Sequence, residues 1–217
     1  MATTCLVMVL CITITMAATI RNGAPAEEQT IQLSDPQADH HPFLQLLMKR
    51  ESSRVFSSDP LPNNVLSNLL WAAAGINRRE SGKRTAPTAN NRQEIDVYAA
   101  MAKGLYLYEA KANLLKLIVA KDVRGMTGKQ PFVKDAAVNL IYVADYAKSG
   151  AASEEDKALY AAAATGFISQ NVYLYCASEG LATVVRAMID RPALAEVMKL
   201  RPNQKIILAQ SVGYPKK

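Results

Sequence analysis

Histidine is almost missing from this 217-residue chain: the only two, His40 and His41, are neighbours in a polar segment. Adjacent imidazoles lack the spacing of metal ligands, so no metal site is expected. A hydrolytic triad has no credible base for the same reason. Cysteine is scarce too. Cys5 and Cys11 lie near the N-terminus, and Cys176 sits in an apolar stretch of helical character. If a leader is removed, a lone thiol remains that cannot form an internal disulfide, and core packing is its expected role. The phosphate-cradling GxxxxGK[ST], the dinucleotide GxGxxG, the esterase GxSxG and the zinc-protease HExxH are all absent. The formal net charge is +6 but the basic residues are scattered, which favours anionic ligands weakly and does not identify nucleic acid. No internal repeat appears. An enzyme with these absences leaves its chemistry to a bound cofactor.

No apolar run is long enough to span a bilayer comfortably. The longest, Cys5 to Met16, is followed by Ala17-Ala18, and residues 1–20 carry no charged side chain. That suits the core of a signal peptide, although a basic n-region is missing. The expected layout is a signal peptide over 1–26, a linker over 27–41 and one domain over 42–217. The protein is then periplasmic or secreted, or cytoplasmic if the leader is not used. The alternative for the first residues is a buried helix.

Within the domain, a helix is expected from Pro42 to Lys49. A second runs from Val65 to Ala74, capped by Asn63-Asn64, with Leu66, Leu69, Leu70 and Ala73 on one face and Gly75 as a left-handed C-cap. Residues 76–92 read as a long polar loop. Strands are expected at Ile95–Ala99, Leu105–Tyr108 and Leu114–Val119, a short helix at Val123–Lys129, and a central buried strand at Val138–Ala144. Ser153 caps a long alanine-rich helix that ends at Gly180 and is apolar on most sides, so it is expected to be covered on most sides. An extended link at Thr183–Val185, a helix from Asp190 through Leu200 and a last strand at Lys205–Val212 complete an α+β pattern with no regular βαβ repeat.

One stretch concentrates anion-binding chemistry. In Arg50-Glu51-Ser52-Ser53-Arg54, an extended backbone turns Arg50, Ser52 and Arg54 to one side. Two guanidinium forks and a hydroxyl suit a phosphate dianion. A solvated basic helix end is the other reading of the same residues.

Four segments in order resemble the FMN-dependent nitroreductase family. Arg50-Glu51-Ser52-Ser53-Arg54-Val55-Phe56 is similar to its phosphate motif, and Pro87-Thr88-Ala89-Asn90-Asn91-Arg92-Gln93 to its Pro-Ser-Ser-x-Asn-x-Gln loop. Gln170-Asn171 through Val184 is similar to its central helix and the following turn, and Val212-Gly213-Tyr214-Pro215 to its closing strand. The resemblance implies an α/β/α sandwich with a mostly antiparallel central sheet, built as an intertwined homodimer with FMN at the subunit interface. Arg50, Ser52 and Arg54 would hold the phosphate and ribityl chain. Pro87, Thr88, Ala89 and Asn91 would reach the flavin from the other subunit. Gln130 would place an amide near the ring, and the backbone at Val185 and Arg186 would approach its N5 edge. No catalytic side chain is implied. The implied activity passes hydride from NAD(P)H through FMN to a nitroaromatic, a quinone or a similar acceptor. Two other readings stay open: a non-enzymatic exported protein that binds an anionic ligand or flavin, and an FMN-dependent dehydrogenase of a peptide or thiazoline-like substrate.

Overall fold

The computed structural model describes residues 31–150 and 153–216. The expected signal peptide lies outside the described residues, as does the first part of the expected linker. Residues 31–36 are exposed and have no regular secondary structure. The compact unit runs from Gln37 to Lys217.

Six strands form one sheet: β3 (Ile95–Met101), β4 (Gly104–Glu109), β5 (Leu114–Val119), β6 (Val138–Asp145), β7 (Ala182–Arg186) and β8 (Gln204–Gly213). Their order is β5-β4-β3-β6-β8-β7 and every neighbouring pair is antiparallel. All eight residues of β6 are buried, as its almost wholly apolar run predicts. Alternation along the strand divides them. Val138, Leu140, Tyr142 and Ala144 belong to a core built with helices α2 (Asn63–Ala74) and α4 (Glu154–Glu179). Ile141 and Val143 join Ile189, Leu194 and Met198 around α5 (Arg191–Val197) on the opposite face. The sheet thus has helices on both faces, the three-layer arrangement expected.

Several local details differ from the sequence reading. Helix α2 starts at Asn63 behind Pro62, and no side chain caps it. Gly75 is extended (φ −71°) rather than left-handed. Its need for glycine is steric, since a Cβ there would stand 2.4 Å from Trp71 Cδ1 and 2.7 Å from the Trp71 carbonyl oxygen. The long polar loop contains a short antiparallel ribbon, β1 (Ile76–Arg78) with β2 (Lys83–Arg84), braced by Arg78 Nη2 donating to the Arg84 carbonyl at 2.8 Å. The helix expected at 123–129 is only a 3-10 turn over Arg124–Met126. A short helix, α3 (Tyr146–Ser149), was not expected; Asp145 caps it by accepting from the Ala147 amide. Helix α5 stops before Leu200 because Lys199 takes a left-handed φ of 55°.

Helix α4 starts at Ser153, whose hydroxyl accepts from the Asp156 amide at 3.0 Å, and ends at Gly180 with φ 66°. In the single chain it is buried on one face only. Ala161, Ala164, Ile168, Val172 and Cys176 pack inward, while Ala162, Ala163, Leu159 and Phe167 are exposed. A helix that is apolar on most sides needs a second cover, which the described residues do not supply. Helix α1 (Pro42–Lys49) likewise has no buried residue, and Phe43, Leu47 and Met48 are exposed. No helix among the described residues is long and apolar enough to cross a membrane.

Candidate functional site

Past α1 the chain is extended and docks along β7 and the C-terminal residues. The Ser53 amide donates to the Thr183 carbonyl at 2.9 Å, the Ser57 amide to the Tyr214 carbonyl at 2.8 Å, and Phe56 pairs with Pro215. Phe56 is buried against Phe132, Ala136, Ala182 and Val184, which fixes the register of the whole segment. Side chains alternate as an extended backbone requires. Glu51 and Ser53 line a small cleft with Lys49 and Cys176. Arg50 and Ser52 meet Tyr173 of α4: the guanidinium carbon lies 5.4 Å from the ring centroid, and Ser52 Oγ is 2.9 Å from the phenol oxygen. Arg54 is exposed. Among the described residues neither Arg50 nor Arg54 belongs to an ion pair.

Tyr173 was not singled out from the sequence, yet it organises this corner. Its hydroxyl also accepts the Val185 amide at 2.9 Å, so the start of the domain, the central helix and β7 meet at one oxygen. Helical spacing would have found it. Tyr173 falls on the buried face with Ser169, Val172 and Cys176, and a buried phenol needs a partner for its hydroxyl. Cys176, one turn on, is buried and its thiol is pushed up to about 12 by desolvation, so it packs as a protonated apolar group.

A second group lies where β7 ends. The turn Thr127–Gln130 is tied to the chain after β7 by the Lys129 amide, which donates to the Met188 carbonyl at 3.0 Å. Gln130 is half-buried, and its Oε1 is buried with no hydrogen-bond partner. The Arg186 side chain turns into the interior. Its Nε donates to Ser211 Oγ (3.1 Å), Nη1 to the Thr127 carbonyl (2.7 Å), and Nη2 to Asn139 Oδ1 (2.7 Å) and Thr127 Oγ1 (3.3 Å). Asn139 completes the set, accepting from Ser211 Oγ at 2.6 Å and donating to the Val133 carbonyl at 2.7 Å. Desolvation lowers the Arg186 pKa to about 10, so it is a cation at neutral pH.

The loop holding Pro87, Thr88, Ala89 and Asn91 is not brought to either group. Pro87, Ala89 and Asn91 are exposed, and Thr88 Oγ1 is used locally, accepting from the Gln93 amide at 3.0 Å. The loop is held open by left-handed residues Asn90, Asn91 and Gln93 (φ 52°, 54° and 51°) and by Gln93 Nε2 donating to the Gly82 carbonyl at 2.9 Å. Non-glycine residues in this region are costly and cluster where surrounding structure imposes them. Ala89 lines a different cavity, with Glu94, Ser149 and Asp156. The roomiest cavity, about 450 Å³ between Leu61, Met101 and Lys134, contains none of the residues expected at the site.

Residues 47–214 match the nitroreductase family, and the chain belongs to it. It is 28% identical over 183 residues to a nitroreductase-like protein of Methanocaldococcus jannaschii, covering 79% of this chain and 91% of that relative. A solved nitroreductase-like protein of Ralstonia eutropha JMP134 is 40% identical and superposes with a TM-score of 0.78 over 89% of this chain and 93% of that one. The NADPH:FMN oxidoreductase of Vibrio harveyi, solved with NAD+, shares the fold at 18% identity, with a TM-score of 0.59 over 81% of this chain and 69% of that one. The chain therefore has the nitroreductase α+β fold, and its family supports a general flavin-dependent oxidoreductase.

The Tyr173 junction has a measurable consequence. Tyr173→Phe removes the hydroxyl that accepts the Val185 amide and is expected to cost about 0.5–1.5 kcal/mol, the usual net contribution of one hydrogen bond. Urea unfolding of the variant beside wild type reads this directly, and matching midpoints would mean that the hydroxyl contributes nothing.

Proposed function

We propose that the protein is an FMN-dependent NAD(P)H oxidoreductase that acts as a homodimer and reduces a nitroaromatic, a quinone or a similar small acceptor. The observation that carries this is the corner of α4 and β7 where Arg50 stacks on Tyr173 and Ser52 is held by its hydroxyl, with Arg54 exposed on the same extended segment and neither arginine in an ion pair among the described residues. The residues fit the cofactor. Arg50 and Arg54 offer a dianion two positive charges that no described carboxylate neutralises, and Gln130 Oε1, buried without a donor among the described residues, fits an N–H on a ligand ring.

Arg50, Ser52 and Arg54 bind the phosphate, with Tyr173 orienting the serine. Gln130 and the backbone at Val185–Arg186 orient the ring. Bound flavin supplies the hydride chemistry, so the protein contributes position and electrostatics rather than an acid or base. Pro87, Thr88, Ala89 and Asn91 approach from the partner subunit, a reading supported by their exposure and separation from Arg50 within one chain. The exposed apolar faces of α1 and α4, including Phe43, Leu47, Leu159 and Phe167, support the dimer. The leader over 1–26 exports the protein, and exported material is expected to begin between about Ala18 and Glu27, given typical signal lengths. An intact Met1 chain recovered from the cytosol by mass spectrometry would remove that part of the proposal.

The absorption spectrum of the purified protein is the first test. Colourless protein that FMN cannot reconstitute would favour a non-enzymatic anion-binding role, and the reductant that bleaches a coloured one separates nicotinamide-driven reduction from dehydrogenation of a peptide-like substrate. Truncating one partner of a buried charged pair commonly costs about 2–5 kcal/mol, and even the lower figure is roughly thirtyfold in affinity. Arg50→Ala and Arg54→Ala are therefore expected to weaken FMN about thirtyfold or more while leaving the weaker binding of riboflavin nearly unchanged. Titration of both flavins decides it: equal losses, or none, mean that these arginines do not hold a phosphate. Ala162→Arg places a charge on the exposed face of α4 and is expected to impair dimerisation and FMN retention together; light scattering showing an active, FMN-loaded monomer would contradict the model.

A further inference from the structure

Arg186 is a puzzle if its role is only to pack. It is 5% exposed, and all four of its hydrogen bonds end on neutral oxygens of Thr127, Asn139 and Ser211. A guanidinium taken out of water is costly, and an apolar side chain of similar volume is often as good or better for stability. The surroundings are nevertheless shaped to keep it. Asn139 and Ser211 sit on adjacent paired strands and are fully buried. Gly128 is what lets the guanidinium in, since a Cβ there would stand 2.0 Å from Arg186 Nη1, 2.8 Å from Gln130 Oε1 and 3.1 Å from Val133 Cγ1. The turn that carries Gln130 is thus fastened to β7 through the same side chain whose backbone forms the end of β7.

We propose that Arg186 is a positioning residue of the flavin site: its guanidinium straps the Thr127–Gln130 turn to β7 so that the Gln130 amide is held at the ring end, and its uncancelled charge favours the more negative, reduced state of the bound cofactor. The proposal rests on the flavin reading above and deepens it. The strap fixes the turn at Thr127, three residues before Gln130, whose Oε1 is buried with no hydrogen-bond partner among the described residues. The charge acts at a distance, because a cation in a poorly polarisable interior stabilises nearby negative charge more than the same cation in water. The hydride donor delivers two electrons and one proton, so a neutral acceptor ring gains one net negative charge.

Three variants test it: Arg186→Met, Arg186→Lys and Gly128→Ala. For each, dissociation constants for FMN and riboflavin and the midpoint potential of the flavin-loaded protein are measured at one pH, alongside thermal unfolding. Arg186→Met is expected to weaken FMN and riboflavin by the same factor, about tenfold, the size of one hydrogen bond to a charged group, and to make the potential more negative. Arg186→Lys keeps the charge but not the fork, so both affinities fall while the potential stays close to wild type. Gly128→Ala leaves the arginine in the sequence but denies it its place, and both affinities fall as in Arg186→Met. Variants that unfold at lower temperature with unchanged potential and unchanged riboflavin affinity overturn the proposal and leave Arg186 a purely structural residue. Loss of FMN affinity alone overturns it as well, by moving the effect to the phosphate end. If Arg186→Met does not fold, unchanged riboflavin affinity in the other two variants overturns it. Wild-type protein that takes up neither flavin overturns the flavin reading and this inference together, whereas a coloured wild type with unmoved variants overturns this inference alone.

Discussion

The Tyr173 hydroxyl accepts the Val185 amide and meets Ser52 Oγ, both at 2.9 Å. Those two contacts tie the extended segment after α1 to the central helix and to the sheet. A phenol is well suited to this. Its ring is buried among apolar neighbours and gives Arg50 a face to stack on, while its oxygen both donates and accepts. Without a hydroxyl at that point, the arginine-bearing segment would be held chiefly by backbone bonds to Thr183 and Tyr214 and by the buried ring of Phe56. The alternation that turns Arg50 and Ser52 one way also turns Glu51 the other, into the cleft with Lys49.

The regular elements were legible because their patterns are strong. Val138–Asp145 is apolar at nearly every position and proves to be buried at every one, which only a strand covered on both faces allows. Helix α4 showed its start in Ser153 and its end in Gly180. Its apolarity on most sides is read as cover on most sides, and the described residues supply that cover on one side. Boundaries governed by backbone geometry were harder to read. Lys199 closes α5 by taking a left-handed φ, a conformation uncommon for a residue other than glycine and not marked in the sequence. Gly75 was recognised as a stop, but the steric cause, the Trp71 ring and carbonyl, depends on a side-chain direction that sequence does not carry.

The site was legible as a list of segments but not as an arrangement. Arg50 and Ser52 announce themselves by charge and spacing. Tyr173, Thr127, Asn139 and Ser211 do not, because each is a common residue whose importance comes from burial beside a polar partner far away in the chain. Arg186 was picked out for its backbone, and its side chain turned out to be the more informative part. The loop from Pro87 to Asn91 shows the opposite limit. Its residues can be named from a motif, but within one chain Ala89 lines a cavity that includes neither Arg50 nor Arg186.

Ser52 and Tyr173 are 121 positions apart, and Arg186 reaches Thr127 and Asn139 across 59 and 47 positions. Closing loops of that length costs chain entropy before any contact is returned. Contacts of this kind form slowly compared with the hairpin of β3 and β4, which closes between Met101 and Gly104. By that measure the corner at Tyr173 closes later than this hairpin, as does the pairing of β6 with β8, which joins Val138 to Val212. A newly made chain would pass through a stage with that hairpin closed and its arginine segment still searching, so the junction at Tyr173 is a late-acquired feature of folding.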